Sequence, residues 1–196
     1  MARPDFPPKD LKEFVAYVRA NHAKLNVGHA GVGSVFFITN ILLDSILKVR
    51  PTMVPFNGGL PAMNALVAGQ VDYLCADATT AAPQLEGGKI KAYAIASPQR
   101  NPLLPNVPTT IEAGLPAESV YPFYTGLYLP AKTPREIVEK LQQETAKALE
   151  VAAVKARLAT LGVEPMPLSQ PEFAKFIRGD IDANVALVKA AHIPTQ

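Results

Sequence analysis

A glycine-rich stretch in residues 25–34, LNVGHAGVGS, is the part of the sequence best suited to bind a ligand. Gly28, Gly31 and Gly33 follow a short apolar run, and Ser34 leads into a long apolar segment. A strand that turns through glycines into a helix exposes unpaired backbone N–H groups, and the helix dipole adds partial positive charge there. The stretch therefore predicts a carboxylate or phosphate site. A tight turn that binds nothing is the alternative interpretation.

The order of the glycines argues against a nucleotide site. No Gly-Lys-Ser or Gly-Lys-Thr follows them, as a P-loop would require, and the order G-x-x-G-x-G is not that of dinucleotide-binding loops. In open α/β sheets, ligands bind beyond the carboxyl ends of the strands. We therefore expect two other segments, PFNGG in 55–59 and CADATT in 75–80, to lie beside the glycine loop.

Two arrangements of nucleophile and base are also conceivable. Cys75 could act with His29 as its base, although a single cysteine at a strand end is more often buried packing. Ser34 could act with His29 and Asp77 as a small hydrolase or esterase, but the G-x-S-x-G motif is absent from GVGSVF. His, Cys and carboxylate residues show no metal-binding spacing, so we expect no metal and no cofactor.

Composition restricts the classes of protein that are possible. The 196 residues include 48% hydrophobic and 18% charged residues, which is typical of a globular chain. The 19 basic residues are interleaved with 17 acidic ones, which argues against a nucleic-acid partner. A single cysteine excludes an internal disulfide. The opening, MARPDFPPKDLKEF, is not typical of a signal peptide.

Helices and strands are predicted to alternate through the first 120 residues. Apolar spacing predicts an amphipathic helix over 9–20. Further helices are predicted at 34–47, 61–69 and 79–88, and strands at 24–28, 51–56, 71–76 and 90–96. This alternation with short connections predicts an α/β fold with a parallel sheet flanked by helices.

The pattern changes near residue 120. An aromatic strand is predicted over 121–130, and only helices follow it. Two capping boxes are predicted, at 133–136, with proline at the first helical position, and at 169–172, and Gly162 is expected to end the helix between them. We therefore divide the chain into an α/β part, 1–120, and a helical part, 121–196.

An ordered set of short motifs gives the sequence a family resemblance. The motifs are LNVGHAGVGS, MVPFNGG, AGQVDYLC, GGKIKAYAIASPQR, LPNVPTTIEAGLP, GLYLPAKTP and VKAAHI. Together they resemble the periplasmic solute-binding proteins of tripartite tricarboxylate transporters, the Bug family. The resemblance implies a two-lobed, periplasmic-binding-protein-like (Venus flytrap) fold that holds a small organic carboxylate between its lobes. It also implies periplasmic location, the transporter's membrane subunits as partners, and no chemistry on the ligand.

The resemblance also implies a set of ligand-binding residues. The glycine loop would grip a carboxylate, the segment after the next strand would line the cleft, and the crossover segment would add an aromatic side chain. The residues are Ala30, Gly31, Gly33, Ser34, Asp77, Ala78, Thr79, Tyr124 and Thr125. His29 joins this predicted set because it lies in the loop and would shape it or border the cleft.

Some features depart from the family pattern. The family's usual cleft aspartate is Ala76 here, with Asp77 one place later, and a frequent histidine of the loop helix is Phe37. By resemblance, 1–120 is a complete second lobe, and 121–196 is the returning strand and C-terminal helices of an incomplete first lobe. We therefore expect a shortened receptor, or a fragment that no longer binds.

An incomplete lobe would leave apolar helix faces without a cover. The apolar positions between Phe173 and Val188 form such a stripe. A second copy could supply the cover by pairing or by exchanging its C-terminal part. We therefore expect a homodimer or a domain-swapped oligomer.

Overall fold

A computed structural model describes residues 1–190 as two compact units. The first unit is Met1–Phe123 together with the chain from Leu187 onward, and the second is Tyr124–Ala186. Each unit is described by itself below. The assignment of 1–120 and 121–196 to two lobes stays a prediction. Part of the motif VKAAHI, with His192, lies outside the described residues.

The first unit is a parallel sheet with helices between its strands. Its strands are β1 (Asn26–His29), β2 (Thr52–Pro55) and β3 (Tyr73–Leu74), and its helices are α1 (Leu11–Asn21), α2 (Val35–Leu47), α3 (Gly59–Val67) and α4 (Ala78–Glu86). The strand order is β2-β1-β3, with both neighbours parallel to β1. The predicted α/β class with a parallel sheet is therefore confirmed.

Local sequence signals explain where these helices begin. The side chain of Asp10 accepts a hydrogen bond from the N–H of Glu13 at 2.8 Å and so starts α1. Helical spacing then places Leu11, Phe14 and Val18 in the core. The ring of Phe14 packs edge-on against that of Tyr73, with centroids 5.1 Å apart, and thereby ties α1 to the sheet.

One buried amide holds α2 to two strands. Asn40, fully buried, donates from Nδ2 to the Gly28 carbonyl and accepts at Oδ1 from the Cys75 N–H, each at 3.0 Å. Both ends of the side chain are thus satisfied, as a buried polar group requires. Asn40 thus fixes the middle of α2 relative to the carboxyl ends of β1 and β3.

Two predicted strands do not form. Residues 90–96 make only isolated bridges, Lys91 with Ala2 and Ile95 with Thr109. A strand needs a continuous row of backbone partners, and the residues between these bridges have none within 1–190. The prediction of a strand over 121–130 is also wrong. A backbone hydrogen bond from the Tyr121 N–H to the Ala96 carbonyl ties its first residue to a distant part of the chain, but no strand forms.

The second unit is helical and has no buried residue. It holds α5 (Arg135–Glu150), α6 (Ala152–Thr160) and most of α7 (Gln170–Ala190). Apolar side chains on α5 and α7 are unusually exposed to solvent, with Ile137 45% and Ile181 52% exposed. In the part of the chain that the structure covers, no helix is long and apolar enough to cross a membrane.

The capping predictions in this unit have different outcomes. Pro134 precedes α5 without a side-chain cap, so the capping box over 133–136 is not formed. At α7, the Glu172 carboxylate accepts from the Ser169 N–H at 2.8 Å, which is half of the predicted box. Gly162 follows the end of α6 with φ of 65°, as the sequence predicts.

Candidate functional site

Three helices begin at one edge of the sheet in the first unit. α2, α3 and α4 each follow the carboxyl end of a parallel strand, β1, β2 and β3 respectively. Carboxyl ends of parallel strands lie at the same sheet edge, so three helix N-termini are directed to one region. The fold thus brings the glycine loop to the same edge as 55–59 and 75–80, as the sequence predicts.

The loop between β1 and α2 presents its backbone rather than its side chains. Gly31 and Gly33 have φ of 102° and 80°, a region that L side chains rarely adopt. The N–H groups of Val32, Gly33 and Val35 have no hydrogen-bond partner within residues 1–190. Several free donors at a helix N-terminus are suited to a carboxylate.

Ser34 is the N-cap of α2. Its Oγ accepts from the Phe37 N–H at 3.2 Å and donates to the Gly31 carbonyl at 2.7 Å. Its own N–H also donates to the Gly31 carbonyl, at 3.2 Å. The hydroxyl therefore holds the loop in shape. Its N–H is also engaged, so the free donors belong to its neighbours.

The start of α4 repeats this arrangement. Asp77 is its N-cap and accepts at Oδ1 from the Thr80 N–H at 2.8 Å and at Oδ2 from the Thr80 hydroxyl at 2.9 Å. The Thr79 hydroxyl also donates to Asp77. The Ala78 and Thr79 N–H groups have no partner among the residues that the structure describes. Ala78 and Thr79 thus offer backbone donors, while the Asp77 carboxylate is occupied.

The start of α3 is a part of this edge that the predicted residue set omitted. Gly58, with φ of 111°, precedes α3, and no side chain caps the helix. A Cβ on Gly59 would lie 2.9 Å from the ring of Phe36, so the starts of α3 and α2 pack closely. Leu60, 67% exposed, follows. In the sequence, the Asn-Gly-Gly run after β2 was the signal that could have identified this third helix start.

This edge carries one carboxylate, that of Asp77, and no cationic side chain. The segments 29–36, 56–60 and 75–80 contain no lysine or arginine. His29 is 2% exposed, and burial lowers its pKa against a smaller opposing effect of the Gly31 backbone, so the ring is neutral at pH 7. Attraction for an anion therefore comes from backbone N–H groups and helix dipoles.

His29 lies inside the fold, beneath the loop. Its ring packs on that of Phe37, with centroids 4.8 Å apart, and its buried Nδ1 has no hydrogen-bond partner within 1–190. A side chain so enclosed shapes the loop. Contact between His29 and a ligand stays a prediction.

Neither conceivable pair of nucleophile and base is assembled. Burial raises the pKa of the Cys75 thiol to about 11, which is the opposite of an activated thiolate. The Ser34 hydroxyl donates to Gly31 instead of His29. No group of His, Cys and carboxylate residues within the described part could hold a metal ion.

Tyr124 and Thr125 belong to the second unit. The Tyr124 hydroxyl donates to Asp180 Oδ2 at 2.8 Å, and its ring packs edge-on against Phe176 at 4.8 Å. These contacts anchor the segment to α7. A role for either residue beside a ligand stays a prediction.

Sequence comparison shows several related proteins. The family model of the tripartite tricarboxylate transporter family receptor, TctC, matches residues 1–193. A UPF0065 protein of Agrobacterium vitis is 34% identical over 166 residues, which is 85% of this chain and 48% of the relative. A UPF0065 protein of Bordetella pertussis is 28% identical over the whole chain and 60% of its own length. The chain thus spans about half of these relatives.

Solved structures show the same fold. MatC from Rhodopseudomonas palustris, determined with bound malate, is 44% identical with a TM-score of 0.83, covering 95% of this chain and 64% of MatC. The periplasmic binding protein BugD is 32% identical with a TM-score of 0.80, covering 100% of this chain and 66% of BugD. A second R. palustris protein, determined with adipate, is 25% identical with a TM-score of 0.82, covering 97% and 63%. The chain belongs to the tripartite tricarboxylate transporter receptor family.

Proposed function

We propose that this protein binds a small organic carboxylate as the receptor of a tripartite tricarboxylate-type transporter. The observation that carries the proposal is the glycine loop, whose free N–H groups surround the N-terminus of α2. Backbone donors at a helix N-terminus can bind an anion even where no cationic side chain is present. The malate in MatC and the adipate in the R. palustris relative support a dicarboxylate as the ligand class.

We assign the binding contacts mainly to backbone groups. Ala30, Gly31 and Gly33 would surround one carboxylate, with Ser34 holding the loop, and Ala78 and Thr79 would supply further donors. Asp77 would act by capping α4, and His29 by supporting the loop from beneath. For Tyr124 and Thr125, a ligand contact stays a prediction from the family resemblance.

Thermal unfolding in the presence of mono-, di- and tricarboxylates tests the binding proposal. A ligand present at a hundred times its Kd adds about 2.7 kcal/mol to the free energy of unfolding. For a chain of this size that corresponds to a rise in Tm of roughly 5 to 11 °C. We expect such a rise with a dicarboxylate and none with the matching diamide. A cooperative melt that no acid shifts would contradict the proposal.

Ser34→Ala separates a receptor from a hydrolase. Loss of the N-cap should lower the free energy of unfolding by about 1 kcal/mol and weaken carboxylate binding only moderately. In a hydrolase the same change would abolish turnover of model esters, because the nucleophile would be gone. Calorimetric titration and an esterase assay on the same preparations check both. Thr133→Ala, which removes a hydroxyl with no capping role, is the control.

We also propose a periplasmic location and a contact with the transporter's membrane subunits. Both rest on family membership and on BugD, which is described as a periplasmic binding protein. Pull-down with the membrane subunits of a tripartite transporter, with and without ligand, tests the contact.

Self-association is the proposed cover for the apolar faces of the second unit. Ile137, Leu141, Ile181 and Val185 are each at least 36% exposed. A homodimer, paired or domain-swapped, would remove these side chains from water. We expect a dimer at micromolar concentration by light scattering coupled to size exclusion, and a shift toward monomer in Ile181→Glu. A monomer at all concentrations would exclude this assembly.

A further inference from the structure

The His29 ring holds a buried nitrogen that makes no hydrogen bond. Within residues 1–190, its Nδ1 is the only buried side-chain nitrogen or oxygen without a partner. The side chain is 2% exposed, and its ring lies against that of Phe37. Buried polar groups are almost always hydrogen-bonded, so this exception calls for a physical explanation.

The Gly31–Val32 peptide connects this ring to the free donors of the glycine loop. The Gly31 carbonyl accepts from the Ser34 hydroxyl at 2.7 Å and from the Ser34 N–H at 3.2 Å. The Gly31 backbone also favours the protonated form of the His29 ring, which only an acceptor, its carbonyl, can do. The C=O and N–H of a planar trans peptide point in opposite directions. The Val32 N–H, which has no partner within 1–190, is therefore directed away from Ser34 and His29.

Protonation changes what the His29 ring can do for this peptide. A neutral imidazole has one N–H and one lone pair, whereas an imidazolium has two N–H donors. A donor bonded to the Gly31 carbonyl polarises the peptide, and this strengthens the Val32 N–H as a donor on the other side. The charge of the ring also attracts an anion at the loop through a medium less polar than water.

We propose that His29 is a positioning residue that couples carboxylate binding at the glycine loop to the uptake of one proton from solvent. This role rests on the proposed function, because it takes the glycine loop as the carboxylate site. His29 acts through the Gly31–Val32 peptide and needs no contact with the ligand. The protein therefore binds its ligand more tightly in acidic surroundings and releases it more readily as pH rises.

The direction of this pH dependence follows from the burial of the ring. Burial lowers the pKa of His29 in the free protein, so the ring is neutral at pH 7. A bound anion beside the ring favours its charged form and raises that pKa. Because linkage is reciprocal, protonation of the ring tightens carboxylate binding by the same factor. Affinity thus increases as pH falls through the range between the two pKa values.

Other titratable groups lie in the same part of the first unit. The titratable or charged side chains on the segments that pack around His29 or Phe37 are Asp44 on α2, Tyr73 on β3, Cys75 and Asp77 after β3, Tyr121, and Lys189 near the end of α7. The pKa of His29 is moved by burial and by the Gly31 backbone rather than by their charges. Asp44, whose pKa is raised to about 7, titrates in a similar range. A test must therefore separate His29 from Asp44.

Calorimetric titration of malate and of adipate at pH 5.5 and 7.5 measures the coupling. The natural protein is compared with His29→Gln, which cannot take up the proton, and with His22→Gln. Titration of Asp44 and of the acids themselves is common to all three proteins and cancels in the comparison. His22 is the matched control because it precedes β1, at the amino end of the sheet, with its Nδ1 3.4 Å from the Arg50 backbone.

NMR titration of the imidazole resonances gives the pKa of His29 directly, with and without malate. This measurement uses the natural protein, so it does not depend on the folding of His29→Gln. His22 serves as the internal reference in the same spectra.

We expect the ratio of Kd at pH 7.5 to Kd at pH 5.5 to be about three to ten times larger in the natural protein and His22→Gln than in His29→Gln. We also expect malate to raise the pKa of His29. The same ratio in all three proteins, or an unchanged pKa of His29 in the malate complex, would overturn this inference alone. Binding of neither acid at either pH would overturn the proposed function and this inference with it.

Discussion

Gly33→Val is expected to weaken carboxylate binding by about a hundredfold or more. Gly33 has φ of 80°, and a Cβ built on it meets nothing within 4 Å, so the added side chain would project into the open space in front of the loop. A β-branched residue at positive φ also strains the backbone that carries the free N–H groups. Close approach of a carboxylate to these donors would be lost, which calorimetric titration measures directly.

Gly88→Val is the matched control for this change. Gly88 also has positive φ, 64°, with nothing within 4 Å of a built Cβ, but it follows the carboxyl end of α4, away from the glycine loop. Both variants should lose about 1 to 3 kcal/mol of folding free energy through backbone strain. Only Gly33→Val should lose the ligand. Equal affinities in the two variants would remove the glycine loop from the binding site.

Asp44→Asn is expected to stabilise the protein above pH 7 and to leave its stability near pH 4 unchanged. Burial raises the pKa of the Asp44 carboxyl from 3.8 to about 7, although the Tyr73 hydroxyl, which donates to it at 3.3 Å, opposes the rise. In the folded protein the carboxyl therefore stays protonated over a range of pH in which it ionises in the unfolded chain.

The sign follows from proton binding. Below about pH 4 the carboxyl is protonated in both states, and between pH 4 and 7 only the folded state holds the proton, so stability falls as pH rises. Above pH 7 both states are ionised and the loss is constant. The loss amounts to as much as about 4 kcal/mol, since the pKa is raised by about three units and each unit corresponds to about 1.4 kcal/mol.

Asparagine cannot ionise, and its Oδ1 can still accept from the Tyr73 hydroxyl. The variant should therefore melt roughly 5 to 15 °C higher than the natural protein at pH 8. Denaturant unfolding at pH 4, 6 and 8 measures how the free energy of unfolding depends on pH. Asp182→Asn, at an exposed position of α7, should leave the profile unchanged. If the free energy of unfolding varied with pH in the same way for Asp44→Asn and the natural protein, the Asp44 carboxyl would be ionised in the folded protein, contrary to this prediction.

The helices of the first unit were predictable because their signals are local. Asp10, Ser34 and Asp77 each cap the helix that follows them, and each is a residue type that prefers the N-cap. Periodic apolar spacing then identified the buried faces. The glycine loop was predictable for the same reason, since strand, turn and helix are adjacent in sequence.

The strands were less predictable because pairing is not local. Residues 90–96 have the composition of a strand, but a ladder requires a neighbouring edge, and only Lys91 and Ile95 find one. The place of Tyr124 likewise depends on a distant partner, Asp180 on α7. The family resemblance predicted that Asp77 contacts the ligand. Its spacing of three residues from Thr80 indicates instead that it is the N-cap of α4.

The absence of buried side chains in the second unit has a consequence for the life of this protein in a cell. A helical segment without a core opens at little cost in free energy, and its backbone is then available to proteases. Degradation would begin in α5 and α6 and would slow whenever another surface covers their apolar faces. The rate at which the protein is degraded would therefore depend on the supply of that cover.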